Sequence, residues 1–343
     1  MFSKITQQQI QRFRSLKRAW YALWILTGAF VLSLFSEQIV NDRPLLLSYE
    51  GALYFPTLKF YSEETFGGSH GTEPQYKELR ETPFFKAAGD WMIFPPIPYS
   101  PLRSDLNLPG NPPHAPSSLH WLGTDDSGRD VLARLIYGFR TSMAFALVLV
   151  VIEIFSGIII GGIQGYMGGK FDIVAQRLTE IWASLPFLYV VILLGSIYGR
   201  SFGILVLVFS IFQWIGLSYY MRAEFFKLKD RAFVSAARSM GVSHFRIIFR
   251  HILPNGLSPV ITLLPFSLIG SISALSALDF LGFGLPPPAP SWGEMLSQGL
   301  KNLYAPWLTI ASVTALFITL LLASFIGEGV RTAFNPKETD KIR

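Results

Sequence analysis

Apolar residues gather in six runs, separated by polar, basic or proline-rich stretches. The runs are residues 19–36, 141–169, 181–199, 201–221, 257–278 and 306–326. Each is close to or beyond the ~20 residues with which an α-helix crosses a hydrocarbon core. The pattern predicts an all-α membrane protein with six transmembrane helices. Glu153 is the single charge inside the second run, and Pro259 and Pro265 lie in the fifth. Gly157, Gly161, Gly162 and Gly165 recur at small-xxx-small spacing, which lets two helix backbones approach closely.

Between the fourth and fifth runs the period changes character. In Asp230–Asn255, Phe233, Ala236, Ala237 and Met240 fall at i, i+3, i+4 and i+7, the spacing of one face of an amphipathic helix. Gly241 suits a helix stop, because glycine accepts the left-handed conformation at little cost. Ser243 suits an N-cap for a second helix. There Phe245, Ile248, Phe249 and Ile252 repeat the spacing, Arg246 and Arg250 lie off the face, and Pro254 is expected to end the helix. The prediction is a helix–elbow–helix too basic to enter lipid.

Residues 37–138 differ in kind, holding twelve of the 22 prolines, 13 acids and 8 Lys/Arg. Short strands near Tyr49–Pro56 and polyproline-like turns in PPIPYSP are expected. Its end, Leu122–Gly138 (LGTDDSGRDVLARLIYG), sets Thr124, Asp125 and Asp126 before a helical pattern in which Val131, Leu135 and Gly138 share a face. These acids suit capping and ion pairs with Arg129 and Arg134. The other reading, a metal site of Asp125, Asp126 and Asp130, has no established spacing, and no metal is assigned. Leu281–Pro306 is expected as a proline- and glycine-rich loop.

Charge sets orientation. Residues 1–18 carry Lys4, Arg12, Arg14, Lys17 and Arg18 and no acid, which puts the N-terminus inside. No A-x-A-like site follows the first run, so it reads as a span and not as a cleaved signal. Threading six spans puts residues 166–178, the elbow and the tail inside, with 18 of the 29 Lys/Arg, and residues 37–138, 198–203 and 281–305 outside. Half of the residues are apolar and only 15% are charged, well under the ~25% usual in soluble domains.

Candidate chemistry is sparse. The absence of cysteine excludes disulfides, thiolate metal sites and cysteine nucleophiles. GYMGGK (Gly165–Lys170) is not a phosphate-binding loop: Gln164 stands where the first glycine is needed and Phe171 where Ser or Thr is. No intramembrane catalytic set occurs, since all histidines (70, 114, 120, 244, 251) lie outside the runs. Catalytic residues: none. Intramembrane acids are functional suspects. Glu153 is either pathway-lining or paired with another helix; Glu180 and Asp279, at the ends of runs, suit the interface. The elbow has three readings: a headgroup-level surface element, a helix-turn-helix, or a docking element for a cytoplasmic partner. The flanking spans leave no room for a DNA-binding domain, so no nucleic acid is expected.

Ala236-Ala237, Gly241 and Leu253-Pro254 resemble the "EAA" signature (E-A-A-x3-G-x9-I-x-L-P) of ABC importer permeases. Ser235 stands where the signature often has Glu, and Ile252 directly precedes Leu253-Pro254. LGTDDSGRDVLARLIYG, GYMGGKFD and DFLGFGLPPPAPSWGEML resemble further hallmarks of the C-type branch that serves dipeptide and oligopeptide importers. The enlarged segment 40–120 is similar to that of the YejE-type permeases of microcin C/oligopeptide importers. The resemblance implies a type I ABC importer permease in the bacterial inner membrane, forming half of the pathway for peptides or peptide-like compounds such as microcin C. It implies a second permease (YejB-like), ATP-binding domains on a fused partner (YejF-like) that hold ATP and Mg, and a periplasmic peptide-binding protein (YejA-like). Ser235, Ala236, Ala237, Arg238, Gly241, Leu253 and Pro254 would form the ATPase-coupling elbow. The chain would then comprise a cytoplasmic segment 1–18, a first span 19–36, a periplasmic segment 37–138, a permease core 139–327 with elbow 222–256, and a cytoplasmic tail 328–343. No cofactor is expected in this chain. An ion-driven transporter or channel without an ATPase is the alternative; it has no need of a lone amphipathic elbow.

Overall fold

A computed structural model describes residues 4–83, 85 and 89–334. The described chain is helical apart from one small sheet. It opens with α1 (Lys4–Ser15) and α2 (Lys17–Leu34), followed by a single turn, α3 (Ser36–Ile39). β1 (Leu46–Tyr49) pairs antiparallel with β2 (Ala52–Tyr54) and with β3 (Trp91–Ile93), in the order β2-β1-β3. Glu50 and Gly51 both take positive φ between β1 and β2, as a two-residue hairpin turn requires. A short α4 (Tyr76–Glu81) precedes β3.

The long helices begin with α5 (Val131–Met167), followed by α6 (Gly169–Ala183), α7 (Phe187–Tyr198) and α8 (Phe202–Leu228). The elbow follows as α9 (Ala232–Ser239) and α10 (residues 244–256), then α11 (Ser258–Phe280), α12 (Trp292–Lys301) and α13 (Pro306–Phe334).

Four helices, α5, α8, α11 and α13, are long and apolar enough to cross a membrane, and the bent pair α6–α7 raises the number to at most five. The third apolar run is therefore not one straight helix. It breaks by 68° between α6 and α7, where Pro186 offers no N–H to the preceding turn and disfavours helical geometry at Leu185. The first run forms α2, whose opening turn is spent on Lys17 and Arg18 and which falls outside the four. The 37 residues of α5 give about 55 Å of helix, far more than a ~30 Å hydrocarbon core needs. The expected loop after α11 contains a further helix, α12, capped by the Ser291 hydroxyl, which accepts from the Glu294 N–H at 3.3 Å.

The chain divides into two compact units. One holds the described residues up to Thr27, Ser142–Pro286 and those from Phe317 onward; the other holds Gly28–Thr141 and Pro287–Leu316. In the first, Phe145, Leu149, Val191, Leu205, Phe209 and Leu275 form one buried cluster, while Leu217, Met221, Phe225 and Val260 join elbow residues in another. In the second, Leu47 and Tyr49 on the inward face of β1 pack on Phe66, Tyr76 and Phe85. Val131, Trp292, Met295 and Leu308 form a separate core there. The last nine residues of the expected tail, 335–343, lie outside the described residues.

Candidate functional site

The elbow is built by local backbone chemistry. α9 ends in a Schellman motif: the Gly241 N–H donates to the Arg238 carbonyl at 3.0 Å and the Val242 N–H to the Ala237 carbonyl at 3.1 Å. Gly241 sits at φ +74°, and a Cβ built on it meets nothing within 4 Å. Its glycine is thus required by dihedral angle alone, not by a close neighbour. Ser243 occupies the N-cap position of α10 in extended conformation, but its hydroxyl makes no capping bond.

α10 departs from expectation. Pro254 does not end it; the helix continues to Gly256, with Ile247–Ile252 wound as a π-helix. Proline withdraws one backbone donor and crowds the carbonyl four residues earlier, and the wider π turn sits just ahead of it. The wider winding also changes the face. Ile247 and Ile252, five apart, are both fully buried, while Phe245 is 71% and Phe249 50% exposed. In α9 the buried pair is Val234 and Ala237, whereas Phe233, Ala236 and Met240 are exposed. The face expected from spacing therefore splits: of Phe233, Ala236, Ala237 and Met240, only Ala237 points inward.

Val234, Ala237, Ile247 and Ile252 pack on Leu217, Met221, Phe225 and Leu228 of α8, with Tyr166 of α5 and Val260 of α11. Two polar ties add to this seat. The Tyr166 hydroxyl lies 2.6 Å from His244 Nδ1, and Arg222 holds Asp172 with Nε at 2.5 Å and Nη2 at 2.6 Å. Tyr166 and Asp172 both belong to the GYMGGKFD motif. That stretch, rejected as a phosphate loop, fastens the base of the elbow. Beneath it α5 and α8 approach closely: a Cβ on Gly161 would come within 2.2 Å of the Ser218 carbonyl oxygen, and one on Gly165 within 2.3 Å of that of Arg222. The small-residue spacing made this contact legible; Tyr166, Asp172, Arg222 and His244 carried no such signal.

What remains outward on the elbow is an apolar and cationic face. Phe245 and Phe249 rings pack tilted against each other with centroids 4.4 Å apart, and Phe233, Ala236 and Met240 are exposed beside Ser235, Arg238, Arg246 and Arg250. Leu253 is half-buried against the cluster under the elbow, and Pro254 is exposed.

The intramembrane acids fall into different surroundings. Glu153 is 6% exposed and accepts from the Ser267 hydroxyl at 3.0 Å and the Gln213 amide at 3.2 Å. Gln213 also donates to the Ser271 hydroxyl at 3.1 Å. One carboxylate thereby joins α5, α8 and α11. Glu180 is exposed and pairs within its own helix with Arg177 at 2.6 Å and Gln176 at 3.2 Å. Asp279 closes the end of α11, its Oδ1 accepting from the Leu285 N–H at 2.7 Å. A Cβ on Gly284 would come within 1.8 Å of that oxygen, so LGFGL wraps the carboxylate.

In the other unit, two separated motifs meet. Asp125 accepts from Arg129 Nε at 2.7 Å, Arg129 Nη2 reaches Glu294 at 3.2 Å, and Arg134 lies between Asp125 and Glu294. Arg134 is fully buried and also donates to the carbonyls of Pro101 and Pro288, at 3.0 and 3.2 Å. The ion-pair reading of Asp125, Arg129 and Arg134 matches this geometry, and Glu294 is the partner that sequence reasoning missed. Asp130 caps α5 through the Ala133 N–H and faces His120 Nδ1 at 2.8 Å, while Asp126 is exposed. Among the described residues no three His, Asp or Glu side chains gather as metal ligands.

The family model described as "Binding-protein-dependent transport system inner membrane component" matches residues 157–340. The chain is 41% identical to "Peptidoglycan transport system permease protein YejE" of Agrobacterium fabrum, over 98% of this chain and 94% of that one. It is 43% identical to "Inner membrane ABC transporter permease protein YejE" of Escherichia coli, over 98% of each. It is also 35% identical to "Dipeptide transport system permease protein DppC" of Bacillus subtilis, over 70% of this chain and 75% of that one. With four to five helices able to span a bilayer and this likeness over nearly its full length, the chain is a multi-pass membrane protein and belongs to the family of binding-protein-dependent transport system inner membrane components, the permease subunits of ABC importers.

Proposed function

We propose that this permease forms half of a pathway for peptides or peptide-like compounds in the bacterial inner membrane, and that its elbow docks on a separate ATPase. The observation that carries the reading is the division of the elbow into two faces. Val234, Ala237, Ile247 and Ile252 seat it on the spanning helix α8, and Phe233, Met240, Phe245 and Phe249 remain exposed beside Arg238, Arg246 and Arg250. An element held rigidly to a span, with aromatic and arginine groups turned away from the protein, suits a partner's cleft, where such groups carry most binding energy. Ser235, Ala236, Arg238, Gly241 and Pro254 belong to this docking surface, while Ala237 and Leu253 support it from beneath.

The relatives' names supply the substrate class: two YejE permeases, one named for peptidoglycan transport, and a dipeptide permease. The assembly in this reading contains a YejB-like second permease, a fused YejF-like ATPase that holds ATP and Mg, and a YejA-like binding protein. Microcin C is a cargo of the same chemistry. Six spans follow if α2 is the first and the bent pair α6–α7 the third. The N-terminus, elbow and tail are then cytoplasmic and residues 37–138 periplasmic. Glu153 ties three spans together, Glu180 forms a surface pair with Arg177, and Asp279 closes the end of α11. No observation on the described residues favours the ion-driven alternative.

Purification in mild detergent followed by mass-spectrometric identification tests this. A second permease, an ATPase and a peptide-binding protein are expected at defined stoichiometry. Recovery of the intact chain without an ATPase, under conditions where a second permease stays bound, would sink the docking assignment.

A further inference from the structure

Two cations at the start of α2, Lys17 and Arg18, are exposed and have no ion-pair partner among the described residues. Residues 1–36 contain no acid at all. Both side chains line a groove of about 410 Å³ between the α1–α2 junction and the last turns of α13, with Leu16, Phe325, Glu328 and Thr332 among the other residues that line it. That volume lies within the ~300–1,000 Å³ of ordinary ligand sites.

The groove walls are fixed by close packing. A Cβ on Gly329 would come within 2.2 Å of the Ala19 Cβ and 3.0 Å of the Phe13 ring, so α13 presses directly on the junction. Its depth relative to a bilayer follows from α13, whose apolar stretch gives way to Glu328 and Arg331 at this level. Trp20 and Trp24 stack edge to face on the same helix start, with Arg14 lying 5.0 Å over the Trp20 ring. Tryptophans at this height mark the headgroup zone. The groove therefore combines a cationic rim, hydroxyl-bearing Thr332 and an apolar floor of Leu16 and Phe325.

We infer that this groove binds the phosphodiester headgroup of an anionic phospholipid, with Lys17 and Arg18 at the phosphate and the glycerol end on Leu16 and Phe325. Basic pockets between spanning helices are the usual setting for such headgroups. Glu328 opposes the ligand from the far wall and limits its affinity. The inference goes beyond the transport reading and requires that α13 lies in a bilayer with α2 beside it.

The full-chain complex is reconstituted in bilayers of phosphatidylglycerol and phosphatidylcholine, then extracted, and the retained lipids are counted by native mass spectrometry. Wild type is expected to retain phosphatidylglycerol selectively. The double variant Lys17→Gln/Arg18→Gln should lower that selectivity roughly 25-fold, about fivefold per cation. Glu328→Gln should raise it, and this variant leaves the topogenic charges of the N-terminus untouched. Equal retention of the two lipids by wild type, or unchanged selectivity in Glu328→Gln, overturns the site. Displacement of the lipid by millimolar glycerol 3-phosphate would mean that a free phosphate ester is the ligand, and would overturn the lipid assignment.

Discussion

Replacing Phe245 by alanine removes the most exposed aromatic ring of the elbow and leaves its seat intact. The side chain is 71% exposed and touches its neighbour Phe249, while the buried cluster beneath consists of Val234, Ala237, Ile247 and Ile252 with α8. Fully burying a phenylalanine stabilises by about 1.5–3 kcal/mol. With nearly three-quarters of that surface still free, a partner that covers it gains about 1–2 kcal/mol. At 1.4 kcal/mol per tenfold, Phe245→Ala should weaken ATPase binding by roughly 5- to 30-fold. Folding stability should move by no more than about 0.5 kcal/mol, as for other surface changes. Ile252→Ala is the contrasting variant: a fully buried residue of the seat, expected to cost about 2–5 kcal/mol of stability. The assay is titration of the ATPase onto permease held in nanodiscs, paired with thermal melting of the same samples. Unchanged affinity in Phe245→Ala with normal melting would refute the docking face. So would a fall in melting temperature as large as that of Ile252→Ala, which would make the ring part of the core.

Gly161→Ala should destabilise by about 1–3 kcal/mol, because the new methyl meets the Ser218 backbone; Gly270→Ala, with open space around it, should be neutral or stabilising, and melting curves of the two compare them directly. Gly241→Val should cost about 1–2 kcal/mol or more in the elbow through its positive φ alone, with Gly241→Asn milder; equal ATPase coupling in wild type and both variants would show the turn to be unimportant. Glu153→Leu leaves the Gln213 and Ser267 donors without their acceptor and should lower stability by about 1–3 kcal/mol. Lost uptake with unchanged melting would instead put Glu153 in the pathway. Arg134→Met removes a fully buried cation from Asp125 and Glu294 and should cost about 3–5 kcal/mol, read as a loss of intact protein on extraction; normal yield and melting would contradict this.

What the sequence alone determined is largely what depends on near neighbours. The long apolar runs became α5, α8, α11 and α13, because helix hydrogen bonds join residues four apart and side-chain period reports them. Gly241 was legible for the same reason, since the left-handed stop depends on the backbone of one residue. The glycines of α5 were legible as a close-approach stripe, although not the helix they would meet. Tertiary structure decided the remainder. Both faces of the elbow carry apolar residues, so composition could not say that Ala237 and Ile247 turn inward while Ala236 and Phe245 turn out; contact with α8 and the π turn ahead of Pro254 chose. The donors to Glu153 lie 60 and 114 positions away, the partner of Asp172 50 away, and Glu294 165 from Arg129. Such polar groups pair because burial without a partner is costly, yet that cost names no particular partner. Which donor reaches which acid is settled only when the packing of whole helices brings them within hydrogen-bonding distance.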